Sequence, residues 1–269
     1  MTVEAYAKIN LTLEVLGKRP DGYHDLRSVV CPITLSDTLV LESSSFASSD
    51  TGYDDDLCHR SAAALGVGCA IHVEKNIPAG GGLGGGSADA AAVLLALNRM
   101  YGLGYDVESL SEKGAEVGSD VPALVLANAH SSPVIMEGRG ERVRPISPIK
   151  LNFVLVNPRV HSSTKEIFSR WTPSSHSLNV TEIAEKALLT RDINLLASVI
   201  SNDLKNAAVS LHSEIGEALE ALKSENVLAA SMTGSGSTVF ALVSSSEEAI
   251  FIAERMKKRG YLAFSVSSL

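Results

Sequence analysis

The chain has 269 residues, of which 45% are apolar and 20% charged, a globular balance that excludes wholesale disorder. Its formal charge of −8 disfavours a general nucleic-acid coat, because phosphate binding through counterion release requires a basic face. Three cysteines without a CxxC pair exclude a closed disulfide framework and give no sign of a zinc site.

Targeting and membrane signals are absent from the sequence. The first residues include Glu4 and Lys8 and contain no uninterrupted apolar run, which argues against a secretory signal. No stretch approaches ~18 charge-free apolar residues, the length that a membrane-spanning helix needs. We therefore expect a cytoplasmic protein that binds neither a membrane nor nucleic acid.

The first half of the chain alternates between predicted strands and helices. Apolar residues share one parity over 2–17, which predicts a strand with one buried face, and Pro20, Asp21 and Gly22 mark a turn after it. The remaining patterns predict strands over 38–43 and 69–75, a loop over 43–56, helices over 57–65, 87–102 and 106–118, and a hairpin over 133–146.

Clustered prolines near residues 145–150 suggest a boundary between two domains, 1–147 and 148–269. The second part has predicted strands over 151–158, 227–232, 238–243 and 261–266, and helices around 164–171, 181–188, 192–201, 213–224 and 246–259. This order fits an antiparallel sheet backed by helices, so the predicted fold class is α+β.

The glycine run at residues 80–86 is the strongest functional signal, because six glycines occupy seven positions. It follows a predicted strand and opens a predicted helix. Successive glycines let the backbone approach a ligand closely, consecutive N–H groups can form an anion nest, and the helix N-terminus adds its dipole. The run predicts a phosphate cradle. A flexible hinge, the alternative, requires neither the strand before it nor the helix after it.

The type of cradle can be narrowed by its sequence and position. It lacks GxxxxGK[ST] and is therefore not a Walker A loop. A GxGxxG reading alone is weak evidence, and a dinucleotide fold expects the loop after an N-terminal strand, whereas here it begins at residue 80.

The segment P-x-GGGLGGGS-x-D-AA, residues 78–91, resembles the central motif of the galactokinase, homoserine kinase, mevalonate kinase and phosphomevalonate kinase superfamily. Residues 7–11 with 19–24, and the GSDVP segment at 118–122, are similar to the corresponding signatures of the 4-diphosphocytidyl-2-C-methyl-D-erythritol kinase family. Residues 232–237 resemble the third glycine motif of the superfamily. The segments follow the family order.

This resemblance implies an ATP-dependent phosphotransferase of the non-mevalonate isoprenoid pathway, in which ATP phosphorylates the 2-hydroxyl of 4-diphosphocytidyl-2-C-methyl-D-erythritol. It implies an N-terminal domain like domain 2 of ribosomal protein S5, a C-terminal ferredoxin-like domain, and an active site in the cleft between them. We also expect Mg²⁺, because the β- and γ-phosphate oxygens need neutralising, with ligands left unassigned, and a monomer or weak homodimer.

By resemblance, Asp120 is the general base or the group that orients the substrate hydroxyl, and Lys8 pairs with it. From spacing alone, a helix-capping aspartate and a solvated lysine are the competing interpretations. Asn10 has the parity of Lys8, so both side chains should lie on one face of the strand. Asn10 is expected among the substrate-binding residues.

Four residues are expected around the cytidyl group. By resemblance, Tyr23 stacks on the cytosine, His24 hydrogen-bonds to it, and Phe168 closes the other face of the base. Thr164 is a further candidate contact. A turn-capping role for His24 and a core position for Phe168 stay open as alternatives.

The resemblance assigns the ATP phosphates to the glycine loop, that is, to Pro78, Gly80, Gly81, Gly82, Leu83, Gly84, Gly85, Gly86 and Ser87. Asp56, Lys75 and Asn98 fall where the family contacts adenine or its surroundings. The family usually has Asn where this chain has Asp56, and a carboxylate cannot donate to adenine. Lys75 could instead be a solvated strand end and Asn98 a residue on the outer face of its helix.

Two other functions compete with this assignment. One is another small-molecule kinase of the superfamily, of the homoserine or mevalonate type, in which a cytosine sandwich built from Tyr23, His24 and Phe168 has no use. The other is an RNA-binding module with an S5-like fold, which the charge of −8 opposes.

Overall fold

The computed structural model describes residues 1–52, 56–173 and 179–269. The elements of the first half are β1 (Thr2–Lys18), β2 (His24–Ser43), β3 (Ser48–Ser49), α1 (Leu57–Leu65), β4 (Cys69–Glu74), α2 (Gly85–Tyr101), α3 (Val107–Val117), α4 (Val121–His130), β5 (Val134–Gly138) and β6 (Arg142–Pro145). Those of the second half are β7 (Asn152–Asn157), α5 (Thr164–Arg170), α6 (Val180–Thr190), α7 (Ile193–Val199), β8 (Ser201–Asn202), α8 (Lys205–Leu211), α9 (Ser213–Lys223), β9 (Ala229–Met232), β10 (Val239–Val243), α10 (Ser246–Lys258) and β11 (Leu262–Ser267).

The first sheet is built on the long antiparallel pair of β1 and β2, in which Ile9 lies opposite Cys31. The two halves of β2 have different second neighbours: residues 26–30 pair with β5 and residues 38–43 pair with β4. Strand β8, from the second half of the chain, adds to β1 in parallel orientation. The C-terminal part therefore reaches into the first sheet.

The second sheet has the order β11–β7–β10–β9, and each neighbouring pair is antiparallel. Its core includes Phe153 and Phe240, whose rings meet edge to face at 6.0 Å. Helices α9 and α10 pack on this sheet through the apolar residues of one face. The architecture confirms the predicted α+β class.

Both faces of β1 are buried, although only one was expected to be. The odd-numbered face carries Ala5, Ala7 and Ile9 into the main core. The even-numbered face, with Lys8 3% and Asn10 1% exposed, is covered by elements from the C-terminal part. A polar face closed between two sheets is a position for a buried polar site rather than for solvated side chains.

Residues 24–37 of β2 and the elements α4, α8 and β8 are absent from the sequence-based expectations. Helix α4 is buried at every position from 121 to 127, so its sequence lacks the one-sided pattern by which amphipathic helices are recognised. Within the expected loop over 43–56, residues 48–49 form β3, and residues 53–55 lie outside the described part of the chain.

The chain passes from β6 to β7 through residues 146–151, where the boundary between 147 and 148 was expected. One hydrophobic cluster includes Ile9 and Leu41 of the first sheet and Phe153 and Phe240 of the second. Because the two parts share this core, the structure does not separate them at residue 147, and the domain boundary stays a prediction. None of the helices in the described ranges has the length and apolar character needed to cross a membrane.

Candidate active site

Two adjoining cavities lie where the two sheets meet. The glycine-loop cavity, of about 620 Å³, is lined by residues 80–87 and 234–236 together with Lys75, Asp89 and His161. The aromatic cavity, of about 1370 Å³, is lined by Tyr23, His24, Phe168, Trp171 and Arg139 among others. Residues bordering both are Leu26, Leu57, Ser87, Asp120, Thr164 and Phe168.

The glycine loop is held by backbone contacts from both parts of the chain. Gly82 has φ +73°, and a Cβ there would lie 2.3 Å from the carbonyl oxygen of Thr233. The Lys8 N–H donates to the Leu83 carbonyl at 3.0 Å, and the Thr238 N–H donates to that of Gly81 at 3.1 Å. The loop and the segment 233–238 thus pack backbone to backbone, which explains why glycines recur in both motifs.

Helix α2 begins at Gly85, two residues before its predicted start, and Gly84 is its N-cap with φ +71°. No side chain caps this end of the helix. The N–H groups of its first turn lack intrahelical acceptors, and they lie beside the cavity together with Ser87. Free N–H groups and the positive end of the helix dipole favour an anion at this position, which is the arrangement that the predicted phosphate cradle requires. The side chain of Leu83, by contrast, is buried in the core.

Asp120 and Lys8 form an ion pair at the border of the two cavities, with 3.5 Å between Oδ2 and Nζ. Asp120 occupies the N-cap position of α4, but its carboxylate makes no capping hydrogen bond. The Lys8 side chain is 4% exposed. The structure therefore supports neither of the alternatives left by the sequence, a capping aspartate and a solvated lysine.

Asn10 lies beside Lys8 on the same face of β1, as its parity predicted. Its Oδ1 accepts hydrogen bonds from Lys8 Nζ at 2.7 Å and from the Gly234 N–H at 3.0 Å. Its Nδ2 donates to Ser28 Oγ at 2.8 Å. With its amide committed in this way, Asn10 orients Lys8 and fixes the glycine turn. It also lines the glycine-loop cavity, and its expected substrate contact stays a prediction.

Lys75 is held beneath the glycine loop by two acidic residues. Its Nζ donates to Oδ2 of Asp37 at 2.5 Å and to Oδ2 of Asp89 at 2.6 Å, so it is not a solvated strand end. Burial raises the pKa of Asp89 to about 7, the nearby Lys75 ammonium opposes this rise, and the Asp37 carboxylate adds to it. Oδ1 of Asp89 has no hydrogen-bond partner within the described ranges.

The other two residues expected near adenine differ in their outcome. Asp56 lines the glycine-loop cavity and caps α1, its Oδ1 accepting the Cys58 N–H at 2.8 Å. Asn98 lies outside both cavities, contrary to the expected ATP contact. It sits in the last turns of α2, ~20 Å along the helix from Gly85, and its side chain bonds both backbone groups of Tyr105. The outer-face interpretation is the correct one for Asn98.

The aromatic residues expected around the base meet in one cavity. The rings of His24 and Phe168 stack with centroids 4.9 Å apart and an interplanar angle of 26°. Burial, followed by the charge of Lys18, lowers the pKa of His24, so its imidazole is neutral at pH 7 and offers one donor and one acceptor. Phe168 lines both cavities, and it also packs against the hydrophobic core that α9 and α10 form with the second sheet.

Tyr23 stands at the rim of the aromatic cavity and is 53% exposed. Its backbone N–H donates to Asp21 Oδ1 at 3.1 Å, which fixes the turn before it. The guanidinium of Arg139 lies 4.8 Å from the centre of its ring. Thr164 borders both cavities, and its Oγ1 lies 2.9 Å from Ser235 Oγ.

Several residues that line the cavities were not singled out from the sequence. Trp171, the chain's single tryptophan, meets His24 edge to face at 5.6 Å. Arg139 and Ser235 each stand between two glycines, a pattern typical of turns that could have drawn attention to them, although Ser235 is buried. His161 packs against Gly80, and no local pattern in the sequence identifies it.

The fold and the glycine-lined cavity define the class of GHMP kinases. The family model for the GHMP kinases N terminal domain matches residues 56–128, and the model for GHMP kinases C terminal matches residues 184–262. The first region contains the glycine loop and Asp120, and the second contains the turn at 233–236.

Relatives narrow this class. The chain is 36% identical over 263 residues to a 4-diphosphocytidyl-2-C-methyl-D-erythritol kinase of Caldanaerobacter subterraneus subsp. tengcongensis, covering 93% of this chain and 90% of the relative. It is 36% identical over 287 residues to the kinase of the same name from Symbiobacterium thermophilum, covering 100% of both. The chain therefore belongs to the 4-diphosphocytidyl-2-C-methyl-D-erythritol kinase family.

Solved structures agree with this placement. A structure of 4-(cytidine 5'-diphospho)-2C-methyl-D-erythritol kinase matches with a TM-score of 0.84 and 31% identity, covering 99% of this chain and 98% of the other. The homoserine kinase from Cytophaga hutchinsonii matches with a TM-score of 0.70 and 21% identity, covering 100% and 94%. At this lower identity the match shows the shared fold alone.

Proposed function

We propose that the chain transfers the γ-phosphoryl group of ATP to the 2-hydroxyl of 4-diphosphocytidyl-2-C-methyl-D-erythritol. The observation that carries this proposal is the Lys8–Asp120 pair, which stands at the border between the glycine-loop cavity and the aromatic cavity. A phosphate donor in the first cavity and an acceptor in the second would meet at this pair. ATP is the co-substrate that membership of a kinase family implies.

On the donor side, the glycine loop and the first turn of α2 bind the phosphates through backbone N–H groups. Positive φ at Gly82 and Gly84 lets the chain turn tightly around the anion. The ammonium of Lys75 lies below Gly85, 3.5 Å from where a Cβ on that residue would lie. Since Asp37 and Asp89 balance its charge, the backbone N–H groups provide the main attraction for the phosphates. This local arrangement binds a polyanion despite the net charge of −8.

On the acceptor side, the cytosine would enter between Tyr23 and Phe168, with the neutral His24 hydrogen-bonding its polar edge. Aromatic stacking of a base contributes about 1–3 kcal/mol. Entry requires the base to replace part of the contact between His24 and Phe168. The substrate's far end then extends toward Asp120, which lines the same cavity.

The transfer itself needs little covalent chemistry from the protein. The acceptor hydroxyl gives its proton to Asp120, its oxygen bonds to the γ-phosphorus, and the bond between that phosphorus and the bridging oxygen breaks to release ADP. Asp120 orients the hydroxyl, and Lys8 holds Asp120 in place and offsets the charge that develops near it. Positioning and charge stabilisation account for most of the catalysis of phosphoryl transfer.

A magnesium ion is chemically expected with ATP, and one residue suits it. The described residues contain no group of three or more His, Cys, Asp or Glu that could hold a metal, but Mg²⁺ in kinases is bound mainly by phosphates and water with one or two carboxylates. Asp89, whose Oδ1 is buried without a partner beside the cavity, would hold it. The ion would neutralise charge on the phosphate oxygens.

A panel of acceptors tests the proposed substrate. With MgATP, release of ADP should depend on 4-diphosphocytidyl-2-C-methyl-D-erythritol and should stay at background with homoserine or mevalonate. Equal turnover of homoserine or mevalonate, with none of the cytidyl compound, would favour the other superfamily kinases. Retention on heparin at moderate salt would revive the RNA-binding alternative. A cytoplasmic location and a monomer or weak homodimer remain part of the proposal.

A further inference from the structure

Arg139 is presented to the aromatic cavity by a fixed turn. It stands at the tip of the β5–β6 hairpin between Gly138, with φ +74°, and Gly140, with φ +116°. Its backbone N–H donates to Glu141 Oε2 at 2.5 Å, and the Gly140 N–H donates to the Glu137 carbonyl at 3.2 Å. These bonds order the turn, so the arginine leaves the hairpin from a defined position.

The same turn packs against the segment that carries Asp120. A Cβ at Gly140 would lie only 2.0 Å from the carbonyl oxygen of Ser119, so the hairpin tip and the residue before Asp120 are in direct backbone contact. On its other side, the Arg139 guanidinium lies 4.8 Å from the centre of the Tyr23 ring. Arg139 therefore lies between the residue expected to stack on the base and the residue expected to act on the hydroxyl.

The guanidinium makes no ion pair in the described part of the chain, although its charge acts at longer range on the Asp21 carboxylate. Among residues 1–52, 56–173 and 179–269, its side chain makes neither a hydrogen bond nor an ion pair, and its contact is the face of Tyr23. Two carboxylates of the cavity wall are engaged elsewhere, because Glu14 accepts the Thr181 N–H and Asp203 accepts the Val15 N–H. A planar, permanently charged group whose N–H donors are not hydrogen-bonded to a carboxylate suits bidentate binding of phosphate oxygens.

We propose that Arg139 binds the diphosphate that joins the cytidine and the methylerythritol of the substrate. This inference rests on the proposed function, since in that substrate the diphosphate lies between the stacked base and the reacting end. Arg139 is the cation that the fold places between the two corresponding side chains. When the diphosphate binds, the guanidinium keeps its position near Tyr23 and gains two anionic oxygens.

Two other cations of the cavity are placed differently. Lys18 pairs with His24 across β1 and β2, and its charge acts on that imidazole, which places it on the base side. Lys165 lies in the first turn of α5, next to Thr164, which also lines the cavity. Neither shares the contact with Ser119 that brings the Arg139 turn to the catalytic aspartate.

Calorimetric binding of cytidine, CMP and CDP, without ATP or Mg²⁺, tests the inference independently of catalysis. The unmodified chain should bind CDP more tightly than cytidine. Arg139→Gln should weaken CDP binding roughly 10- to 100-fold, as expected for loss of a charged hydrogen-bonded contact, while cytidine binding changes less than about 3-fold. Arg139→Lys should restore part of the difference, because it keeps the charge without the fork.

Arg142→Gln is the matched control, because it removes the same charge from the exposed β6 arm of the hairpin and lies outside the cavity. An equal loss of CDP affinity in Arg139→Gln and Arg142→Gln would show that only the overall positive charge matters, and it would overturn the inference. An equal loss of cytidine and CDP in Arg139→Gln would assign Arg139 to supporting Tyr23 and would also overturn it. Failure of the unmodified chain to bind any cytidine compound would reject the proposed function as well.

Discussion

The ammonium of Lys8 lies 3.5 Å from the carboxylate of Asp120, although Lys8 belongs to β1 and Asp120 is the N-cap of α4. Asn10 holds the ammonium from one side, and the Lys8 backbone holds the glycine loop through Leu83. One strand thus positions both the catalytic pair and the phosphate loop. A shift of β1 would disturb both together.

Asp120→Asn should abolish turnover while leaving the fold intact. Positioned proton transfer contributes about 10²–10⁴ in rate, so kcat should fall at least about 100-fold. The melting temperature should change little, because the carboxylate makes no capping bond and the Lys8 ammonium keeps its hydrogen bond to Asn10. Steady-state kinetics and thermal unfolding of the purified variant measure the two effects.

A genuine helix cap provides the control for that variant. Asp106 caps α3 by accepting the Ser109 N–H at 2.8 Å and lies outside both cavities. Asp106→Ala should cost roughly 0.5–2 kcal/mol of unfolding free energy and leave kcat unchanged. If Asp120→Asn lowered stability as Asp106→Ala does and kept its activity, Asp120 would be a structural cap.

Phe168→Ala should weaken binding of the cytidyl substrate and leave binding of ATP unchanged. Loss of one base-stacking face costs about 1–3 kcal/mol, or roughly 5- to 150-fold in affinity. The KM for the cytidyl substrate should rise accordingly, and the KM for ATP should stay within about 2-fold. Phe251→Ala, at a 61% exposed position on α10, should change neither. Equal effects of Phe168→Ala on both substrates would assign that ring to the core.

Gly82→Ala should destroy the phosphate loop, because its Cβ would meet the Thr233 carbonyl oxygen at 2.3 Å and φ is +73°. Gly104→Ala is a matched control: φ is +78°, and nothing lies within 4 Å of the added atom. The control should lose about 1 kcal/mol of stability from left-handed strain alone and keep its KM for ATP. Similar KM values for ATP in the two variants would contradict the backbone contact between the glycine motifs.

Asp89 makes the stability of the protein dependent on pH. Because burial raises its pKa to about 7, the folded chain keeps a proton that the unfolded chain releases above about pH 4. Its contribution to stability is therefore fully present at low pH and is lost as pH rises through about 7. The melting temperature of the unmodified chain minus that of Asp89→Asn, without nucleotide, should fall from pH 5 to about 7 and then level off. A melting-temperature difference that is constant or increases with pH would contradict a raised pKa of the buried Asp89 carboxyl group.

The sequence predicted those segments whose structure is determined by residues close together in the chain. The glycine run indicated the cradle because glycine, a preceding strand and an Ala-rich helix each act locally, and the parity of Lys8 and Asn10 placed them on one face. Helix α4 escaped prediction because burial on all sides removes the periodic signal. The pattern of β1 predicted only one buried face, because the tertiary fold alone brings Thr233 and Gly234 over the other face.

Among the site residues, the local sequence also failed where long-range packing decides. Asn98 resembled a nucleotide contact in order along the chain, but the length of α2 carries it away from the loop. His161 reaches its cavity from the connection between β7 and α5, and Trp171 reaches the other cavity from the end of α5. No short sequence motif indicates either position. Arg139 owes its place to a turn that contacts Ser119, a residue of another element.

A single-turnover experiment tests the central claim that phosphoryl transfer from ATP to the acceptor takes place at Asp120 and Lys8, between the two cavities. Enzyme in excess over 4-diphosphocytidyl-2-C-methyl-D-erythritol is mixed with MgATP, and phosphorus NMR follows the product. We predict one new phosphomonoester on the 2-hydroxyl, formed with one ADP, and at least about 100-fold slower formation with Asp120→Asn at saturating enzyme and MgATP. Phosphorylation at wild-type rate by Asp120→Asn, or transfer of phosphate to water in place of the hydroxyl, would contradict the account.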